Sequence, residues 1–364
     1  MKKIIFYILF LISLMVITII CYFSIFGIKT KNLNNQIKNV VNKFDKNLFL
    51  ELDEVQLNLN LIKLKIDAKT INSKIIYKNE NIDIERIKTS ISLKSFAKRK
   101  FAIENLDIST KATNLENIVS LIRIIKNSPE IYILQNKIKN GYLVADLKIN
   151  FDENGEIKDD FEINGYVKEG QIDLLGKYNL KNIDFLFKFQ NKSYDLKDVK
   201  LSFNELDFYS GKISLLSKDN NIYVEGNLEN QILNLKEEKL SNIINIFYKN
   251  YGFKDIIFSS KNNFSFKINN KFKIKDLIFD SDIKLKSLRF ENKKKGKYFL
   301  PEIKDQIFLK DNNIRIKYIK KNLLLKGDGD LLLQNKIDKI KYLVDKKNDI
   351  YKIKTTIELN QNPL

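Results

Sequence analysis

The chain has no histidine, no tryptophan and a single cysteine, Cys21, in 364 residues, with only 3 prolines and 12 glycines. Without histidine there is no Ser–His or Cys–His constellation and no imidazole to hold a metal. One cysteine excludes an intrachain disulfide. The shortage of Gly and Pro passes the turns to Asn and Asp, which tolerate the left-handed backbone. Arginine is scarce as well, with 5 among the 64 basic residues and 59 lysines making up the rest. Proteins that read nucleic acid lean on Arg for bidentate contacts, so the net charge of +19 does not point to a nucleic-acid partner. In a chain crowded with Lys, Asn and Ile, that charge reads as spread over solvated strand faces. Attraction to anionic lipid headgroups is the competing reading.

What the chain does have begins with an uncharged run from Ile4 to Ile28, longer than the roughly 20 apolar residues a membrane span needs. A cleaved signal would show an apolar region of about 7–15 residues and a small-x-small exit, and Tyr22-Phe23-Ser24-Ile25-Phe26-Gly27 offers none. Ile20 before Cys21 argues against a lipoprotein. Residues 1–28 therefore read as an uncleaved anchor. Leu33, Ile37, Val40, Val41 and Phe44 then recur at helical spacing, so 29–47 reads as an amphipathic helix lying on the bilayer or on the base of the body.

From 48 to 364 the period is two. Strand blocks are expected at about 50–110, 141–230 and 253–359, with helices at about 113–139 and 236–250 between them. Thr113-Asn114-Leu115-Glu116 matches a capping box, and Asn140-Gly141 suits a helix end. In the middle block Leu143, Ala145, Leu147, Ile149 and Phe151 share a face, and Asn154-Gly155 signals a hairpin turn. Turns are also expected at Asn220-Asn221, Asn269-Asn270 and Asp311-Asn312-Asn313. Residues 334–346 suit a strand or a helix equally.

About 300 residues at one strand per roughly 12 gives ~20–25 strands, more than the ~10 at which open sheets curl or split. Two or three short helices cannot cover so long an apolar face. Either the faces pack on each other as a sandwich, or they line a groove that holds something apolar. The groove candidates are Leu57, Leu59, Leu147, Ile149, Ile183, Phe185, Phe187, Phe189, Leu201, Phe203, Phe264 and Phe266. The expected fold is mainly β, an elongated, curved antiparallel sheet behind one transmembrane helix.

The single span, the continuation Leu57-Asn-Leu59-Asn-Leu61-Ile62-Lys63-Leu64-Lys65-Ile66, and the repeated strands Gly141–Phe151 and Phe161–Val167 together resemble the AsmA-like family, the group that includes AsmA, TamB and YhdP. That resemblance implies a single-pass bacterial inner-membrane anchor, a periplasmic β-groove, and movement of phospholipid toward the outer membrane without a cofactor or catalytic residue. Members that bridge the envelope are longer, so the chain is expected to be a short member, a truncated one, or one whose last sheet edge takes strands from an envelope protein.

Signs of other chemistry are weak. Asp152-Glu153-Asn154-Gly155 and Gly327-Asp328-Gly329-Asp330 look like fragments of calcium loops but lack the helices and terminal Glu of an EF-hand, and read as hairpin turns. No phosphate-binding or dinucleotide fingerprint appears. The reading is a protein without enzymatic activity; a structural or assembly protein built as a closed sandwich is the alternative.

Overall fold

The computed structural model describes residues 2–44, 47–77, 80–98, 103–125, 132, 135–154, 156, 158, 160–174, 178–203, 205–219, 221–244, 252–269, 273–292, 302–348 and 350–360. Gly155, Asn220 and Asn270, among the expected turn residues, fall outside them. So do 126–131 and 245–250, in the later parts of the two expected helices. Among the described residues the fold is mostly antiparallel β, with twenty strands and few helices. It divides into two compact units, one of 1–174 with 186–191 and one of 175–185 with 192–364.

The first unit opens with helix α1, Lys2–Ile25. Its stretch Phe6–Ile25 is long and apolar enough to cross a membrane and is not covered by protein. A short strand that the sequence did not announce, β1 (Ile28–Thr30), pairs with β3 (Glu54–Asn60), Ile28 opposite Leu57 and Thr30 opposite Val55. The expected helix over 29–47 is therefore shorter, α2 at Asn34–Phe44. Its N-terminal flank is fastened by Asn34 Nδ2, which donates to Asp53 O at 2.8 Å. Of the two places proposed for this helix it takes the sheet: Leu33 and Ile37 pack on Leu50, Leu52 and Val55.

The sheet of this unit continues from β3 to β4 (Lys65–Ile71), β6 (Glu80–Ser92), β7 (Ile103–Thr110), β9 (Ile138–Asn150) and β10 (Glu162–Leu174). One edge of β6 is shared. Residues 88–92 pair with β4, and 80–84 pair with β5 (Ser73–Tyr77), which in turn carries β2 (Leu48–Glu51). Between the two partners the ladder would leave an amide idle, and the Ile87 amide instead donates to Thr70 Oγ1 at 2.9 Å. Two short elements, α3 (Leu93–Ala97) and β8 (Thr113–Asn114), complete the unit together with α4 (Leu115–Ile125), which packs on β6, β8 and β9.

The capping box is not realised as expected. Asn114, not Thr113, caps α4, its Oδ1 accepting from the Glu116 amide at 2.8 Å, while Thr113 Oγ1 donates to Lys111 O. Nor do Asn140-Gly141 end a helix. Both lie inside β9, where Gly141 has φ +128° and sits against Leu115 and Gly170.

β11 (Tyr178–Gln190) is divided, 178–185 falling in the second unit and 186–190 in the first. The second unit is a meander: β12 (Ser193–Phe203), β13 (Leu206–Lys218), β14 (Asn221–Lys236), β15 (Phe253–Asn269), β16 (Ile274–Glu291), β17 (Gln306–Ile319), β18 (Asn322–Leu332), β19 (Asp338–Lys347) and β20 (Ile350–Glu358). Each is antiparallel to the next. The ambiguous stretch 334–346 enters the strand β19, with Leu325 opposite Val344. Among the described residues one helix, α5 (Glu237–Ile244), interrupts the meander.

Two expected turns are strand interiors instead. Asp311-Asn312-Asn313 lies within β17 and Gly327-Asp328-Gly329-Asp330 within β18. The reason is a line of irregularities crossing the unit. Register shifts fall between Tyr209 and Ile213, Asn230 and Leu233, Ile257 and Phe258, and Lys310 and Asn313, and Asp198 and Asp311 sit in the left-handed region at φ 51° and 47°. Such bulges leave backbone groups unpaired and bend the strands. Here side chains take up those groups: Asn312 Nδ2 donates to Lys310 O at 2.8 Å and Asp330 O at 3.1 Å, Asn262 Nδ2 to Leu228 O at 2.9 Å, and Ser210 Oγ to Lys212 O at 3.1 Å.

Candidate functional site

Cross-strand partners share a face, so the ladders show which apolar residues stand together. In the first unit, Val55, Leu57 and Leu59 on β3 share a face with Ala68 and Ile66, then with Ile91, Leu106 and Ile108, and then with Leu147, Ile149 and Ile163. Phe187 joins them, its ring edge lying where a methyl on Gly165 would stand. Phe189 packs on Phe161 with ring centroids 5.3 Å apart. Leu57 is not free surface, because it packs on the core closed by α2. Leu59, Leu147, Ile149, Phe187 and Phe189 are half-buried.

In the second unit the line of bulges splits one apolar face into two halves. On one side lies the row Leu235, Ile256, Leu288, Leu309 and Leu331. That half is closed: Leu240 of α5 seals Leu206 and Leu235, and Ile303 seals Ile307, Leu331 and Leu333. Leu201 and Phe203 stand opposite Phe208 and Leu206 and so belong to this closed half. On the other side runs the row Ile213, Gly226, Phe264, Phe279, Tyr318 and Leu323. Beside it runs Ile316, Leu325, Val344 and Ile353. Among the described residues no helix or loop core covers this half. Phe264 and Phe266 stack here with centroids 5.9 Å apart, and a methyl on Gly226 would meet both Phe264 and Ile213. On β11, Ile183 is buried and Phe185 half-buried.

The boundary between the halves is polar and buried. Asn230, Ser260, Ser281 and Asn312 are all at most 7 % exposed, and the first three are joined in a relay through Asn262: Ser260 Oγ donates to Asn230, Asn262 Nδ2 to Ser260 Oγ at 2.8 Å, and Ser281 Oγ to Asn262 Oδ1 at 2.7 Å. Fully satisfied, such a strip rigidifies a sheet rather than weakening it. The Gly327-Asp328-Gly329-Asp330 stretch belongs here. Its glycines make room for the Tyr342 ring and the Asn312 side chain, and Asp330 is held by Lys339, so the pattern that resembled a calcium loop has a packing cause. No group of side chains suited to a metal ion occurs among the described residues.

The opposite face of the second unit is charged. Glu229, Lys261, Asp282, Arg315 and Lys326 stand in one row, and they line a cleft of about 540 Å³ together with Ser259, Lys284 and Asp328. Its neighbour, about 800 Å³, is lined by Lys212, Glu225, Asn263 and Asp280. Burial opposes ionisation of Asp280, but hydrogen bonds from Arg315 and Lys317 outweigh it and hold the carboxyl below the usual range. Acids and bases interleave along this face, so it is a ladder of cross-strand pairs rather than an anion trap. Exposed pairs of this kind contribute only about 0–1 kcal/mol each.

Comparison with known proteins returns no matching family, no similar curated protein and no similar solved structure. The missed features, the closed half and the bulge line, left little trace in the alternation. Leu240 and Ile303 reach their partners through tertiary contact, and the buried Asn and Ser read as ordinary turn or surface residues.

Proposed function

We propose that this is a membrane-anchored, AsmA-like carrier of acyl lipid, without enzymatic activity, its body in the periplasm and its anchor in the inner membrane. The observation behind this reading is the half of the second unit's face around Phe264, Phe266, Phe279, Ile316 and Leu325, an apolar surface with no described cover in a chain whose first helix is long and apolar enough to cross a membrane. Acyl chains laid on such a surface gain roughly 0.8 kcal/mol per buried methylene, and the lysine-rich strand ends suit anionic headgroups. The mechanism is solvation and passive transfer, with no cofactor and no bond made or broken.

The test is native mass spectrometry of the full chain taken from membranes in mild detergent. Phospholipid should remain bound, and Phe264→Asp should abolish it with circular dichroism unchanged. Lys261→Glu, on the charged face, should leave loading intact. Lipid-free wild-type protein, or equal loading in Phe264→Asp, would sink the proposal.

A second reading, an assembly platform for envelope proteins, draws on one observation. β20 pairs with β19 and is exposed along its whole length, with Ile353 71 % and Tyr351 57 % accessible. Among the described residues its other edge has no partner strand, and an edge of this composition suits strand addition. Crosslinking from Ile353 to another protein, together with lipid-free preparations, would favour it.

A further inference from the structure

The β3–β4 hairpin of the first unit ends in Leu61-Ile62-Lys63-Leu64, where a turn is ordinarily Gly, Asn, Asp or Ser. Three of its four residues are large and apolar, and they are exposed: Leu61 41 %, Ile62 98 % and Leu64 54 %. The tip is held in shape. The Leu64 amide donates to Leu61 O at 3.3 Å, the Lys63 amide to Asn60 Oδ1 at 3.1 Å, and the Leu93 amide to Leu64 O at 3.0 Å. Leu64 itself sits at φ 48°, a conformation that disfavours a branched side chain. A sequence under pressure only to turn would not put Leu there.

The pairing of β1 with β3 says where the tip points. Ile28, three residues past the end of α1, lies opposite Leu57, and β3 runs from there toward the tip as β1 runs the other way. α1 and the tip therefore extend to the same side of that pairing, and α1 packs on β3. Gln56 Nε2 donates to Phe26 O at 3.3 Å, and Gly27 is in contact with Leu57 and Asn58. At about 3.3 Å per residue, Ile62 reaches roughly 15 Å beyond the level of Ile28. Exposed bases flank it: Lys63 on the turn, and Lys94 and Lys98 on and after α3.

We infer that the Leu61–Leu64 tip is a second membrane contact, inserted in the headgroup and acyl boundary of the bilayer that α1 crosses. Lysines around a small apolar projection are the composition of an interfacial anchor, the stems lying in the apolar region and the ammonium groups reaching the phosphates. The contact fixes the rotation of the first unit about the axis of its span, which a single helix leaves free. It holds whether or not the sheet carries lipid.

The full chain carrying Cys21→Ser and Ile62→Cys, labelled with an environment-sensitive nitrobenzoxadiazole dye, tests this in vesicles of phosphatidylethanolamine and phosphatidylglycerol. Lys111→Cys, exposed at the far end of β7, serves as the control. Dye at 62 should emit to the blue, be quenched by brominated acyl chains, and be several-fold less quenched by iodide than dye at 111. Equal iodide quenching at both sites overturns the inference. So does a blue shift at 62 without quenching by brominated lipid, which would mean that protein covers the tip.

Discussion

Gly327→Ala is the substitution for which the structure makes the sharpest demand. A methyl there would stand 2.2 Å from Tyr342 Cζ and 2.3 Å from its Cε2 and Oη, against an ordinary contact of about 3.5–4.0 Å. The backbone at 327 lies outside the left-handed region, so the strand itself accepts alanine and the cost is steric. The Tyr342 ring must move by more than about 1 Å to restore that contact distance, giving up the 3.4 Å approach of its hydroxyl to Asn312 Oδ1. Overpacking of this kind costs about 1–3 kcal/mol, offset by about 0.5–1 kcal/mol from replacing a strand glycine.

The expected net loss is centred on ~1 kcal/mol, within a span of about 0–2.5 kcal/mol, a Tm lowered by roughly 2–4 °C for a domain of this size. Circular dichroism of the detergent-solubilised chain would read it. Because the loss runs through one ring, Gly327→Ala/Tyr342→Ala should be no less stable than Tyr342→Ala alone. Additive losses in that cycle would refute the argument. Titration gives a second readout. Burial, and behind it Asp328, pushes the Tyr342 phenol up to about 12. The neutral phenol is then favoured in the folded state, so its contribution to stability is present below the unfolded value of about 10 and is lost as pH rises between the two. Gly327→Ala should bring the late tyrosinate absorbance step, identified by its absence in Tyr342→Phe, back toward 10.

Two further substitutions probe the frame around the site. Asn312, 1 % exposed, serves two carbonyls, and Asn312→Ala should cost about 2–4 kcal/mol by leaving both unpaired; an unchanged urea midpoint would show that the bulges do not need it. Lys320 and Lys321 turn the β17–β18 hairpin at φ 48° and 71°. Lys321→Gly should therefore raise Tm, by relieving about 1–2 kcal/mol of left-handed strain, and a lower Tm would contradict the turn assignment.

The strands were legible where side chains alternate without interruption, as at Leu143 to Ile149 and Ile183 to Phe189. They were hidden where bulges break the period. Asp311-Asn312-Asn313 looks like a turn because the residues that satisfy a bulge are the same types that make turns. Gly327 and Gly329 could be read only with Tyr342 in place, across a strand pairing. Short-range physics placed the starts of α4 and α5 within a residue or two. The split of the candidate residues, with Leu57, Leu201 and Phe203 beside closed cores and Phe264 and Phe266 on open face, depends on α2, α5 and Ile303; the helical spacing of α2 announced an apolar face, but no local pattern says which strands these elements cover.

The meander from β12 to β20 has a consequence for how the chain acquires its form. Every ladder there joins strands adjacent in sequence, so each new strand needs only its predecessor as a template, and loop closure never spans a long interval. A chain emerging in one direction from a ribosome or a translocation channel can therefore zip up strand by strand, without waiting for distant segments. The same arithmetic governs length. Adding or deleting an antiparallel pair leaves every other ladder in register, so the apolar face can be lengthened in steps of one hairpin, about 10 Å at a time.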